Sequence, residues 1–310
     1  MSETSAQAPS RPPSRILDGA LSNPAPILGL AIILFFVVVA ILARWIEPYS
    51  ISAASCRVFE PPSWAHWFGC DDGGIDMLSL TIRGGQVSMI VGITASLIAI
   101  AVGATVGILS GYFGGWIDTI LMAITDYLLV IPQIVLMIVV SAVWGPSLEH
   151  VIIVIGLLMW TSVARLIRAQ VKSIRSRVFI RRVESLGAGH TYVILRHVLP
   201  QVAPLLVANT VLAITVAIFN ETALAFLGLS DSNAVTWGTI MEHAFDRAAV
   251  SAGAWWAIVP AGLAVAVFIV GCYLLGRAIE DGLNPRLKVS YLSPRTWRLR
   301  AVENRETRQR

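Results

Sequence analysis

The chain has 310 residues, 23 of them Lys or Arg and 19 Asp or Glu, with 56% hydrophobic residues and a mean hydropathy of +0.73. Such a composition is too apolar for an ordinary soluble domain, and the apolar residues fall in long runs, so a soluble enzyme core, a disordered scaffold and a nucleic-acid-binding domain are poor readings. The net charge is only +4 despite a pI of 9.2, so where the charges sit matters more than their sum.

Residues 1–23 open with a Ser/Pro/Ala-rich stretch that cannot bury a core, and they are expected to be a disordered tail. The first charge-free run is 24–43, matching the roughly 20 residues that cross about 30 Å of hydrocarbon. It ends in Ala43-Arg44-Trp45-Ile46 without a small-residue cleavage site, which predicts a retained anchor helix rather than a signal peptide. The loop over 46–83 holds Cys56 and Cys70. In an oxidising compartment these two can close a loop of about 15 residues, contributing on the order of 3 kcal/mol, provided that the Cα atoms come within about 7 Å. Two unpaired thiols are the alternative. Cys272 falls inside the last span and reads as a small packing residue.

The second span, 84–112, carries Gly103, Gly107 and Gly111 on one helical face, a spacing that lets two membrane helices approach closely. A glycine hinge is the other reading of the same triplet. The third span is expected over 127–144, and the fourth over Val151 to Ala164, extended past a snorkelling Arg165 by Leu166 and Ile167. Runs at 197–219 and 254–276 complete six predicted spans. Between the fourth and fifth, Arg165, Arg168, Lys172 and Arg175 recur at helical spacing, so the fourth helix is expected to continue beyond the membrane with a basic stripe. Gly187-Ala188-Gly189 is the expected stop, because glycine readily takes the left-handed backbone that ends a helix, and a second short helix then runs toward Pro200. This shape suits docking on a cytoplasmic partner; a merely solvated amphipathic loop is the plainer reading.

Basic residues set the orientation. Segments 1–23, 165–199 and 277–310 hold 19 of the 23 Lys and Arg, leaving Arg44, Arg57, Arg83 and Arg247 for the other side. Positive-inside bias therefore places both termini in the cytoplasm and makes nucleic acid an unneeded explanation of the pI. The basic tail over 289–310 is expected to lie near anionic lipid headgroups.

Catalytic signatures are missing. The two lysines, Lys172 and Lys288, do not follow a phosphate-binding glycine loop, and no H-E-x-x-H, C-x-x-C or G-x-S-x-G occurs. The histidines at 66, 150, 190, 197 and 243 lie in separate segments, so neither a metal cluster nor a membrane hydrolase is supported. The intramembrane carboxylates are Asp118, Asp126 and Glu221. Asp118 and Glu221 are expected near span ends within reach of water, and Asp126 deep in the membrane. Such groups pair structurally, line a polar path or carry protons.

The string Gly187-Ala188-Gly189-His190-Thr191-Tyr192-Val193-Ile194-Leu195-Arg196-His197-Val198-Leu199-Pro200 resembles the loop signature of ABC importer permeases. His66-Trp67-Phe68-Gly69 with Asp71 to Asp76, Gly111-Tyr112-Phe113-Gly114-Gly115-Trp116-Ile117-Asp118, Asp126 with Pro132, Glu221 to Leu229, Trp237-Gly238 and Leu283-Asn284-Pro285-Arg286-Leu287 resemble the C-type permease subunit of dipeptide, oligopeptide and nickel importers. The matches follow the family's order over about residues 66 to 288.

The resemblance implies an all-α, type I ABC importer permease of a bacterial inner membrane. Six transmembrane helices and a cytoplasmic coupling helix between the fourth and fifth are expected, with an anchor and extracytoplasmic loop over 24–83 and a permease core over 84–288. It implies a second permease subunit, two ATPase subunits that bind ATP and Mg, an extracytoplasmic substrate-binding protein, no cofactor in this chain, and peptide as cargo with chelated nickel as the alternative. Coupling would fall to Arg181, Arg182, Glu184, Gly187, Ala188, Gly189 and His190, and the path to Asp126 and Glu221. One departure stands out: Arg181-Arg182-Val183 occupies the place of the family's E-A-A triplet, and either Glu184, three positions on and close to the same helical face, substitutes for its carboxylate or the ATPase surface has co-adapted. From a different class, an ion-coupled secondary transporter would need its own coupling-ion site and often an inverted repeat, and neither is visible.

Overall fold

The structure, a computed structural model, describes residues 24–283; the tails expected over 1–23 and 289–310 lie outside the described residues. Its regular elements are all helical. Helix α1 (Pro24–Ile46) buries only Gly29 and Ala43, and its Leu28, Leu34, Phe35 and Ile41 point outward, as suits a helix whose solvent is hydrocarbon. Helix α2 (Met77–Phe113) starts at Asp76, whose Oδ2 accepts the Ser79 N–H at 2.8 Å, and ends at Gly114 with φ 68°.

The predicted third span, 127–144, is not one helix. Helices α3 (Gly115–Val130) and α4 (Gln133–Trp144) meet at an angle of 86°. Proline supplies no N–H and disfavours helical backbone in the residue before it, and Ile131 is accordingly extended (φ −80°, ψ 129°) ahead of Pro132. Gln133 secures the second limb by donating from Nε2 to the Leu158 carbonyl at 3.1 Å.

Helix α5 (Leu148–Arg175) lies against α2 along the glycine triplet. A Cβ on Gly103 would stand 2.7 Å from the Trp160 carbonyl, one on Gly107 2.7 Å from that of Ala164, and one on Gly111 2.9 Å from that of Arg168. All three positions therefore require glycine for backbone contact, which in a membrane is where the packing gain lies. Close packing, not a hinge, is what the triplet does. This seam continues into one of the two buried clusters, with Ile155, Ile167, Val171 and Ile174 fully enclosed.

Short helix α6 (Val178–Ser185) leads through a turn to α7 (His190–Phe226), which contains a π-helical turn at Ile194–Val198. The chain does not stop at Pro200: α7 runs through it and through Pro204, the wider turn lying just ahead of the prolines. Helix α8 (Trp237–Asp246) and a 3₁₀ turn at Trp255–Ala257 precede α9 (Val259–Leu283), which packs on α1 and α7 and encloses Phe268 with Trp237 in the second buried cluster. Five helices, α1, α2, α5, α7 and α9, are each long and apolar enough to cross a membrane, and the bent α3–α4 pair makes a sixth if its two limbs are counted as one span.

Candidate functional site

Helix α6 is too short to be stable alone and is held by its amphipathic pattern. Ile180 is fully buried, Val183 packs on the same core, and Arg181, Arg182 and Ser185 face outward. The helix ends in a turn in which Gly187 takes φ 83°, the left-handed conformation expected of it, and the Ala188 N–H reaches back to the Val183 carbonyl at 3.3 Å. Gly189 caps the start of α7 at His190. Leu186 stands at the tip, 87% exposed, with Tyr192 and Leu195 also outward.

The turn is fastened from inside by a residue to which the sequence reading gave no role. Tyr112, at the end of α2 and almost fully buried, donates its hydroxyl to Glu184 Oε1 at 3.2 Å and lies 3.1 Å from His190 Nδ1. With the hydroxyl donating to Glu184, His190 must carry its proton on Nδ1 to complete the set. Arg175 covers the other side, its guanidinium 5.2 Å from the Tyr112 ring centre. Glu184 therefore turns toward Tyr112. The outward positions belong to Arg181 and Arg182.

The basic stripe of α5 is partly taken up by a carboxylate: Arg168 and Lys172 meet Asp118, while the Arg165 and Lys172 side chains stay substantially exposed. Asp118 on α3 accepts Arg168 Nε at 2.5 Å and Nη2 at 2.8 Å, and Lys172 Nζ at 2.6 Å, and it also accepts from the Ser110 hydroxyl of α2. One carboxylate thus joins α2, α3 and α5 beside the turn, with bidentate geometry that fixes orientation as well as distance. Periodicity could not reveal this, because the acid lies some fifty residues before its partners; the string Gly111 to Asp118 was the available signal.

The other two carboxylates differ in how far the chain itself encloses them. Asp126 pairs with Arg165 at 2.6 Å on a side chain 57% exposed, whereas Glu221 is fully buried. Asp126 reaches Arg165 on α5, while Glu221 sits where α7 meets α2 and α8. Glu221 Oε2 accepts the Ser88 hydroxyl at 3.1 Å and that of Thr222 at 3.4 Å, so it is enclosed between helices of this chain.

At the opposite end from the turn, Cys56 and Cys70 are joined in a disulfide with Cα atoms 6.5 Å apart. His66 lies within the same loop, its Nδ1 2.9 Å from Asp76 Oδ1, which ties the loop to the start of α2. Asp71 accepts the N–H groups of Gly73 at 2.9 Å and Ile75 at 2.7 Å. Burial nevertheless pushes its carboxyl above the ordinary carboxylate range, with neighbouring Asp72 adding to the shift and the two amides opposing it. Cys272 is buried.

Residues 103–289 match the model of the family described as binding-protein-dependent transport system inner membrane component. The chain is 35% identical over 265 residues to a putative peptide transport system permease protein of Brucella suis, covering 84% of this chain and 88% of that protein. It is 33% identical over 270 residues to the dipeptide transport system permease protein DppC of Alkalihalophilus pseudofirmus, covering 86% and 87%. A putative peptide permease protein of Brucella ovis is 30% identical over 283 residues, covering 90% and 93%.

Proposed function

The chain belongs to the binding-protein-dependent transport system inner membrane component family, and from that premise we propose that it forms half of the translocation path of an ATP-driven peptide importer. It is a multi-pass transport permease rather than an enzyme. A second, non-identical permease subunit completes the path, two ATPase subunits bind ATP and Mg²⁺, and an extracytoplasmic binding protein delivers the peptide. Peptide is favoured over chelated nickel because the relatives carry peptide and dipeptide in their names.

The observation that carries this reading is the α6 turn. A compact element with an outward face of Arg181, Arg182 and Leu186 is fastened by Glu184 and His190 to the end of a membrane helix, on a chain without a phosphate-binding loop of its own. Force applied to that face would reach α2 through Tyr112 and α7 through the Gly187–Gly189 turn. Closure of the ATPases would then drive alternating access, since packed helices shift between discrete arrangements rather than deform continuously. Arg181 and Arg182 would meet acidic groups on the ATPase, and Asp126 with Arg165 stays the candidate for the polar path. The distribution of Lys and Arg supports placing the turn and both termini in the cytoplasm.

Purified complex in proteoliposomes tests the function: labelled peptide should enter only with ATP on the ATPase side and binding protein on the other. Uptake driven by a proton or sodium gradient without ATP would instead establish a secondary transporter. Sidedness is tested in intact cells with a membrane-impermeant maleimide, which should label Ser232→Cys and leave Ser173→Cys unmodified. Both positions are exposed, and the native cysteines are either bonded or buried.

A further inference from the structure

Helices α2 and α7 are joined by polar contacts at both ends. Beside the turn, Tyr112 meets His190; at the far end, Ser88 meets Glu221. At about 1.5 Å per residue, these contacts are about 36 Å apart along α2 and about 46 Å apart along α7. The far contact includes a third element. Ser88 Oγ accepts the Trp237 N–H at 3.1 Å while donating to Glu221 Oε2, also at 3.1 Å, so α8 hangs from the same hydroxyl. Trp237 donates again from Nε1 to the Thr81 carbonyl at 2.9 Å. A Cβ on Gly85 would meet its ring at 2.8 Å, and one on Gly238 would stand 2.8 Å from the Thr222 carbonyl, so α8 is seated closely against both helices at these two points.

A carboxylate is a costly way to fill such a junction. Glu221 is fully buried, forms no ion pair among the described residues, and leaves Oε1 without a well-formed hydrogen bond, with the Thr236 side chain nearby, although an apolar side chain of similar size would pack without desolvating a charge-bearing group. A half-satisfied acceptor is a contact that can be exchanged for another when the helices shift, whereas a fully packed apolar junction has no second partner to adopt. We propose that Glu221 is a positioning residue of the transport cycle: it holds α8 to the α2–α7 pair in this state, and its release and re-formation carry movement of the α6 turn along α7 to α8. The π-helical turn at Ile194–Val198, with Pro200 and Pro204 after it, places the compliant part of α7 next to the turn and leaves the rest of the helix to act as a rigid arm.

This inference rests on the proposed coupling of the turn to ATPase subunits, so the experiment reads the two ends separately. In the assembled complex, an environment-sensitive fluorophore is placed at Ser185→Cys on α6 or at Ser232→Cys before α8, and its response to ATP is recorded with peptide uptake. In the parent both labels should respond. Glu221→Ala should assemble with its partners and keep the Ser185 response while the Ser232 response is lost and uptake falls at least tenfold. Glu221→Gln, which keeps an acceptor for Ser88, should hold uptake within about threefold of the parent. Ser88→Ala breaks the same junction from the other helix and reads the same way should Glu221→Ala not assemble. A Ser232 response and uptake at parental levels in Glu221→Ala or, failing its assembly, in Ser88→Ala would overturn the role of Glu221. A parent whose Ser185 label ignores ATP would overturn the coupling reading, and the inference with it.

Discussion

The two ends of the α2–α7 pair are closed by different chemistry. At the far end a disulfide, the His66–Asp76 pair and the glycine-backed Trp237 hold loop and helix against one another, mostly through buried groups. Beside the turn, α6 rests on its buried Ile180 and on the Tyr112 hydroxyl, next to the ion pairs by which Asp118 joins α3 to α5, and its tip projects Leu186. Packing tolerates little displacement, because interiors are close to crystal density, while hydrogen bonds to long side chains can follow a moving partner. We infer that the disulfide-bonded loop is the stiff part of the far end, and that motion passes from the turn to the Glu221 junction proposed above.

Mutations can break this contrast at either end. The largest effect should come from Asp118→Ala, which leaves Arg168 and Lys172 without their shared anion and should cost on the order of 3 kcal/mol, read as a lower thermal midpoint in detergent. Opening the disulfide by Cys70→Ser should cost up to about 3 kcal/mol in the loop but leave the turn untouched; mass spectrometry of non-reduced peptides from the parent should show the 56–70 link. Gly107→Val places a branched side chain against the Ala164 carbonyl and should cost about 1–3 kcal/mol, with α2 and α5 forced apart. Gly187→Val has open space around it, so its penalty is the left-handed backbone alone, about 1–2 kcal/mol, confined to the turn. Its expected signature is a complex that inserts and hydrolyses ATP but imports poorly. Arg181→Glu with Arg182→Glu should change stability by no more than about 0.5 kcal/mol, yet weaken ATPase association, and raised salt should weaken the parental interface in the same way.

Much of the architecture was readable because hydrocarbon imposes one rule on every span: charge-free runs of sufficient length mark helices, and the Gly103, Gly107 and Gly111 spacing marks their seam. Gly187 was readable for a local reason, its left-handed backbone at a helix stop. Contacts between distant segments were not. The basic stripe of α5 looks solvent-facing until Asp118 is brought beside it, and a charge-free run such as 127–144 does not show that Pro132 turns it by 86°. The enclosure of Glu221 was hidden for the same reason, because α8, which folds over that end of α7, follows it in the chain.

The claim that an ATPase meets the molecule at the α6 turn is tested most directly by photo-cross-linking. Benzophenone maleimide attached at Leu186→Cys, in cells expressing the whole transport system, should yield an adduct whose tryptic peptides identify the ATPase subunit. The same reagent at Ser232→Cys should give none with it. An ATPase adduct from Ser232 with none from Leu186 would contradict the account, inverting both its sidedness and its coupling site.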